Sequence, residues 1–154
     1  MKFFTALLAA LLFVSCKSNQ VNRTIKFNIT STSDYCGGAM PSEEIMESLI
    51  TPSSFNGTLY FHKNPDRSDK GIAKEFKNGK ASIKGLVNGE YAIFKHPPIN
   101  MDKLENNDSD ENLENECEMM RNFQMLEMVN IDKEIKEVSI HIHFMCDPCQ
   151  EPMP

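Results

Sequence analysis

The stretch that decides the fold is EFKNGKASIKGLVNGEYAIF, residues 75–94. It contains the pair Asn-Gly twice, at 78–79 and at 88–89, and each pair separates short apolar runs. Asn and Gly tolerate positive φ, so the two pairs are strong signals for the tight turns that join hairpin strands. We therefore predict three successive strands in and around this stretch, at 72–76, 81–86 and 91–96.

Strand patterns continue on both sides of this segment. Residues 23–31 alternate, with Ile25, Phe27 and Ile29 on one face, which is typical of a half-buried strand. Residues 136–146 show the clearest alternation, and their apolar face consists of Val138, Ile140, Ile142, Phe144 and Cys146. Further strands are predicted at 56–63 and 122–131.

One short helix is predicted at 42–50, because Ser42 suits an N-cap and Glu43 and Glu44 suit the positive end of a helix. Residues 102–118 hold eight acids and one base, which indicates a solvated loop or a frayed helix. Short strands separated by turn signals at intervals of about 8–12 residues favour an all-β fold, a single β-sandwich with one short helix. The predicted domain covers 24–154 and carries an acidic loop at 102–118.

The 75–94 stretch also resembles the transthyretin-like, or carboxypeptidase-regulatory-like, β-sandwich domains. The matching residues are Phe76, Gly79, Ile83, Gly85, Leu86, Gly89, Glu90, Tyr91 and Ile93. The resemblance implies a Greek-key sandwich and no particular activity. One branch of that group hydrolyses 5-hydroxyisourate with a C-terminal Tyr-Arg-Gly-Ser, whereas this chain ends in Gln-Glu-Pro-Met-Pro. We therefore expect no enzymatic activity.

The first residues, MKFFTALLAALLFVSC, resemble a bacterial lipoprotein signal peptide. Lys2 supplies a positive n-region, residues 3–14 are apolar, and a small residue precedes Cys16. The resemblance implies that residues 1–15 are removed and that Cys16 carries lipid. Residues 16–23 then form a lipidated tether, and the protein is anchored to a membrane of the bacterial cell envelope, at the outer membrane or the periplasmic face.

Composition narrows the classes of partner. The formal net charge is −6, which disfavours binding of nucleic acid or coating of an anionic membrane. Trp is absent, which weakens the case for a surface on which sugars stack. No spacing of Ser, His, Asp or Cys indicates a catalytic set, and we expect no cofactor.

Four cysteines remain besides Cys16, and an even number in an exported chain indicates two disulfides. They are Cys36, Cys117, Cys146 and Cys149, for which three pairings are open. We predict that one of the two tail cysteines pairs with Cys36 and the other with Cys117.

The tail HIHFMCDPCQEPMP permits two other interpretations. His141 and His143 lie on one strand face, so they could chelate copper or zinc together with Met145 or the thiols. Alternatively, Cys146 and Cys149 form a redox dithiol, although only five residues follow and no helix could lower a thiol pKa. We favour the structural role for the cysteines.

The predicted function is therefore that of a lipid-anchored, non-catalytic binding or assembly module. Its partner would be another envelope protein or a polymer, contacted through loops or a sheet edge. The alternative function is metal handling, with copper or zinc bound at the histidine- and cysteine-rich C-terminal strand.

Overall fold

The computed structural model describes residues 23–98 and 112–147. The predicted signal peptide, Cys16, most of the acidic loop and Cys149 lie outside the described residues. The elements in chain order are strand β1 (Thr24–Ser33), helix α1 (Glu43–Ile50), β2 (Ser53–Ser54), β3 (Gly57–His62), β4 (Ile72–Phe76), β5 (Lys80–Lys84), β6 (Gly89–Phe94), helix α2 (Asn112–Phe123), β7 (Met125–Ile131) and β8 (Glu137–Phe144).

The strands form two four-stranded sheets. In the first, β5 and β2 pair antiparallel with successive parts of one side of β1, and β8 pairs in parallel with the other side. The second sheet has the order β4-β3-β6-β7, with all neighbours antiparallel. The chain is therefore mostly β and has two sheets, as the sequence predicted, with helices only at the periphery.

The core lies between the sheets and uses the predicted alternation. Ile25, Phe27 and Ile29 of β1 are fully or almost fully buried, and Phe27 packs edge-on against Phe61 with ring centroids 5.1 Å apart. The apolar residues of the 75–94 stretch also belong to this core, namely Phe76, Ile83, Leu86, Tyr91 and Ile93. Burial of each such side chain stabilises the fold by about 1.5–3 kcal/mol.

The Asn78-Gly79 turn forms as predicted, with φ of 51° and 74°, and Lys77 and Lys80 exchange backbone hydrogen bonds of 3.2 and 3.0 Å across it. The prediction that the strands on either side then pair in one sheet was wrong, because β4 and β5 belong to opposite sheets. The same holds for Asn88-Gly89, where Asn88 has no positive φ and β5 and β6 belong to opposite sheets.

The Asn78-Gly79 turn is held by β1 and the chain before β3, since Gly79 N–H donates to Phe55 O and Gly79 O accepts from Ile29 N–H. A Cβ at position 79 would lie 2.5 Å from Ile29 O, so the turn requires glycine.

Helix α1 confirms the predicted short helix, and the Ser42 side chain accepts from Ile45 N–H as an N-cap. The prediction of a single short helix is corrected by α2, a second helix over residues 112–123 that begins within the segment predicted as a loop or a frayed helix. The strand predicted from residue 122 therefore begins at Met125. The last turn of α2 is held by distant partners, since Arg121 donates two hydrogen bonds of 2.7 and 2.6 Å to the Asp147 carboxylate. No helix among the described residues is long and apolar enough to cross a membrane.

Candidate functional site

The free edge of β8 is the most unusual feature of the first sheet. Two hydrogen bonds bracket its ladder with β1: Lys26 N–H donates to Lys136 O, and Asp34 N–H donates to Phe144 O, both at 2.9 Å. In a parallel ladder, alternate residues of one strand turn their N–H and C=O groups towards the same neighbour. Ser139, His141 and His143 therefore turn theirs away from β1, towards a side on which no described strand pairs.

This edge lacks the devices with which proteins protect exposed strands, such as short length, lysine or proline. The edge strands β4 and β5 have five residues each and contain lysine. On the edge strand β7, the Glu127 carboxylate accepts from Met128 N–H at 2.9 Å. The strand β8 has eight residues, EVSIHIHF, without lysine or proline. It is therefore the edge best suited to pairing with another strand.

The flank of the sandwich beside this edge is apolar. Strands β7 and β8 are the last strands of their sheets and are joined by the short segment 132–136, so their edges share one flank. The apolar side chains there contact the core but are only half-buried, and they are Leu126, Ile135, Val138, Ile140 and Phe144. A strand added to β8 would cover part of this surface.

A row of polar side chains runs along the outer face of β1 and β8. Thr30 Oγ1 lies 3.1 Å from His141 Nδ1, and Thr32 Oγ1 lies 3.1 Å from His141 Nε2 and 3.0 Å from His143 Nδ1. His143 Nε2 lies 3.0 Å from the Asp34 carboxylate, which can only accept. With neutral rings, one arrangement satisfies all four contacts, in which each Nε2–H donates and each Nδ1 accepts.

The predicted metal ligands His141 and His143 are thus brought to one face, and the hydroxyl of Thr32 lies between them. Each of their four ring nitrogens contacts a hydroxyl or a carboxylate, so a metal would have to displace one of these partners. Within 23–98 and 112–147, no group of three or more His, Cys, Asp or Glu side chains could hold a metal ion. Metal handling by these histidines remains a prediction.

A disulfide joins Cys36 and Cys146, which follow the adjacent ends of β1 and β8. Their Cα atoms lie 5.4 Å apart, and the pair closes a separation of 110 residues. Because Cys146 pairs with Cys36, it does not form a dithiol with Cys149. Cys117 is also disulfide-bonded, and its predicted pairing with Cys149 involves a residue outside the described ranges.

His62 lies on the outer side of the second sheet and is 1% exposed. The sequence around His62 gives no indication of this burial, because an isolated histidine carries little signal. Its Nδ1 lies 3.1 Å from Asp69, and its Nε2 has no hydrogen-bond partner among the described residues. Gly71 covers the ring so closely that a Cβ there would lie 2.3 Å from His62 Cε1.

Asp69 organises the loop around His62. Partial burial would raise the pKa of its carboxyl, but hydrogen bonds from the Lys63 N–H, His62 and the Asn64 N–H hold the pKa below its usual value. The Gly71 N–H donates to the same carboxylate at 3.2 Å. The group is therefore a structural anchor of this loop.

We expect Asp69→Ala to lower the free energy of unfolding by about 1–3 kcal/mol at neutral pH, because several donors lose their acceptor. Since the pKa is lowered on folding, this stabilisation is present above the ordinary carboxyl pKa and disappears as pH falls through the lowered value. The free energies of unfolding of the wild type and Asp69→Ala, measured by urea titration, should therefore become equal as the pH falls below about 4. Asp66→Asn, an exposed change in the same loop, is the control and should leave most of the stability intact.

Arg67 is the second buried polar residue of this region, with 7% exposure. Its guanidinium donates to Asn122 O and Oδ1 at 2.9 and 2.8 Å and to His96 O at 2.6 Å. It also lies 4.3 Å from the centroid of the Phe94 ring. Burial lowers the pKa of Arg67. This side chain connects the β3–β4 loop with α2.

The methionines of the described residues lie at the surface rather than in the core. All seven in the described residues are exposed by at least 38%: Met40, Met46, Met119, Met120, Met125, Met128 and Met145. Phe123 is exposed as well, at 56%. Met119, Met120 and Phe123 belong to α2, and Met125 and Met128 belong to β7, the strand that borders this flank. Apolar periodicity alone could not reveal this, because it does not show which faces are covered.

No protein-family model, curated protein or solved structure matches this chain. The transthyretin-like resemblance of residues 75–94 and its Greek-key topology therefore remain predictions. The site rests on geometry alone, namely the β8 edge that no strand of residues 23–98 and 112–147 covers, the half-buried flank beside it, and the disulfide and polar row that fix β8 to β1.

Proposed function

We propose that this chain is a lipid-anchored protein of the bacterial cell envelope and that its sandwich is a non-catalytic binding module. Its partner is an envelope protein that adds an extended segment to the edge of β8. The backbone of Ser139, His141 and His143, with which no described strand pairs, carries this proposal, because such a row is a template for another strand. The lipoprotein-like sequence ending at Cys16 supports the membrane location.

Strand addition also accounts for the half-buried apolar side chains of β8 and for the disulfide at its end. Main-chain hydrogen bonds at three residues would supply affinity, and alternate side chains of the partner would supply specificity. Apolar side chains of the partner would cover Val138, Ile140 and Phe144, which are only half-buried. The disulfide at Cys146 keeps this end of the strand in place, which reduces the ordering that binding requires.

The anchor is tested by the intact mass of the membrane-extracted protein. We expect a chain that begins at Cys16 and carries acyl groups, and a Cys16→Ser variant that lacks both features. An unmodified Cys16 in the wild type would contradict the anchor. It would not affect the proposal about the β8 edge, which concerns residues 137–144.

The edge is tested by comparing Ser139→Pro with Ser139→Ala. Proline removes a backbone N–H that faces the open side and leaves the ladder to β1 intact, whereas alanine changes only the exposed side chain. After cross-linking of membranes, we expect one partner to be recovered with the wild type and with Ser139→Ala. With Ser139→Pro its recovery should fall by about tenfold or more, the equivalent of one strong hydrogen bond.

Circular dichroism of both variants would first show that the sandwich is retained. A partner that is recovered equally well with Ser139→Pro would contradict strand addition at this edge. The absence of any specific partner in the wild type would contradict the binding function itself.

A further inference from the structure

Three lysines share the outer face of the first sheet. Lys26 of β1 points outwards because its neighbours Ile25 and Phe27 point into the core. Lys80 and Lys84 of β5 lie on the same face, since they pair in register with Asn28 and Thr24. All three lysine side chains are exposed. This face is therefore basic in the half where β1 begins.

A depression of about 470 Å³ lies in the middle of this basic half. Lys26 and Lys80 border it from two strands, and Asn28 and Ser82 add polar groups between them. Glu137 of β8 borders it as well, and its register partner is Lys26. The depression thus combines two ammonium groups with neutral polar groups, and one carboxylate lies at its margin.

This arrangement differs from the charge of the chain as a whole. The formal net charge is −6, and helix α1 contributes Glu43, Glu44 and Glu47 to the exposed surface. The whole-chain charge led us to disfavour contact with anionic membranes. The structure shows instead a local group of three lysines on one face, with Glu137 at its margin, and such a local positive group is what contact with an anionic surface requires.

The basic half also lies close to the proposed anchor. Arg23, where the described structure begins, follows Cys16 by seven residues. Seven residues span at most about 25 Å, so the start of β1 stays near the bilayer to which Cys16 would be attached. Lys26 is only three residues further along the chain.

We infer that the outer face of the first sheet rests on the anionic lipid surface of the membrane, with headgroup phosphates beside Lys26 and Lys80. This inference rests on the proposed lipid anchor. In this orientation the β8 edge lies to the side, parallel to the membrane, where the strand of a neighbouring envelope protein can reach it.

The test uses a chain that begins at Lys17 and lacks the lipid. The core residues that the structure describes all lie between Ile25 and Ile142, and this chain contains all of them. Co-sedimentation is measured at low salt with phosphatidylcholine vesicles that contain about 30 mol% phosphatidylglycerol, and with phosphatidylcholine alone. Because Cys16 is absent, failure of this binding is distinct from failure of lipidation, which the mass of the membrane form reports.

We expect binding to the anionic vesicles only. Each lysine near an anionic surface contributes about fivefold, so Lys26→Gln/Lys80→Gln should weaken partitioning by about 25-fold. The matched control, Lys63→Gln/Lys70→Gln, removes the same charge from an exposed loop of the other sheet and should change it by less than about twofold. Glu137→Gln should strengthen partitioning by up to about fivefold.

Equal weakening by the two double variants would show that only net charge matters and would overturn the inference. Equal binding to neutral vesicles, or no binding to anionic ones, would also overturn it. Loss of binding in Glu137→Gln would contradict the role of the depression.

Discussion

Replacing both Cys36 and Cys146 by serine should lower the free energy of unfolding by about 2–5 kcal/mol. The disulfide closes a separation of 110 residues, and loops of this length give the largest restriction of the unfolded chain. It also joins the adjacent ends of β1 and β8, so its loss should loosen the Asp34 N–H to Phe144 O hydrogen bond beside it. Urea unfolding followed by circular dichroism measures the global effect.

The double variant is preferable to reduction of the wild type, because Cys117 is also disulfide-bonded and would be reduced as well. Ser139→Ala, a change at an exposed side chain of β8, serves as the control and should stay within about 0.5 kcal/mol of the wild type. A double-serine variant of wild-type stability would show that the polar row and the core hold β8 without the disulfide.

Arg67→Met should lower the free energy of unfolding by about 2–4 kcal/mol. Methionine fills much of the same volume, but His96 O, Asn122 O and Asn122 Oδ1 lose their donor. The stacking on Phe94 is also lost. Because Arg67 connects the β3–β4 loop with α2, we further expect faster proteolysis within α2, measured by limited digestion and mass spectrometry.

Lys70→Met is the matched control for this variant, since it introduces the same side chain at an exposed position of the same loop. It should change stability by less than about 0.5 kcal/mol. An Arg67→Met protein with unchanged stability and unchanged digestion of α2 would show that the guanidinium contributes no net stabilisation there.

The sequence predicted those features that depend on local periodicity. The alternation of residues 24–29 and of residues 138–144 identified β1 and β8 and their buried faces, because a half-buried strand imposes a period of two. The same alternation placed His141 and His143 together on the outer face. The Asn78-Gly79 turn was also predictable from local sequence, because its backbone needs positive φ, which Asn and Gly tolerate.

Features that depend on distant partners could not be predicted. The Asn-Gly turn does not show that β4 and β5 enter opposite sheets, because that depends on contacts with Ile29 and Phe55. The acidic composition before residue 118 suggested a loop or frayed helix, whereas the end of α2 is held by Asp147 and Arg67. The parallel pairing of β8 with β1, which creates the open edge, likewise joins residues over 100 positions apart.

The most direct test of the central claim, that β8 presents an unpaired edge, is amide hydrogen exchange of the chain from Lys17, resolved residue by residue by NMR. The ladder to β1 predicts slow exchange at Val138, Ile140 and Ile142, whose N–H groups face β1, and fast exchange at Ser139, His141 and His143. Uniform protection of all six amides would show that the edge is already covered and would contradict the proposed binding function.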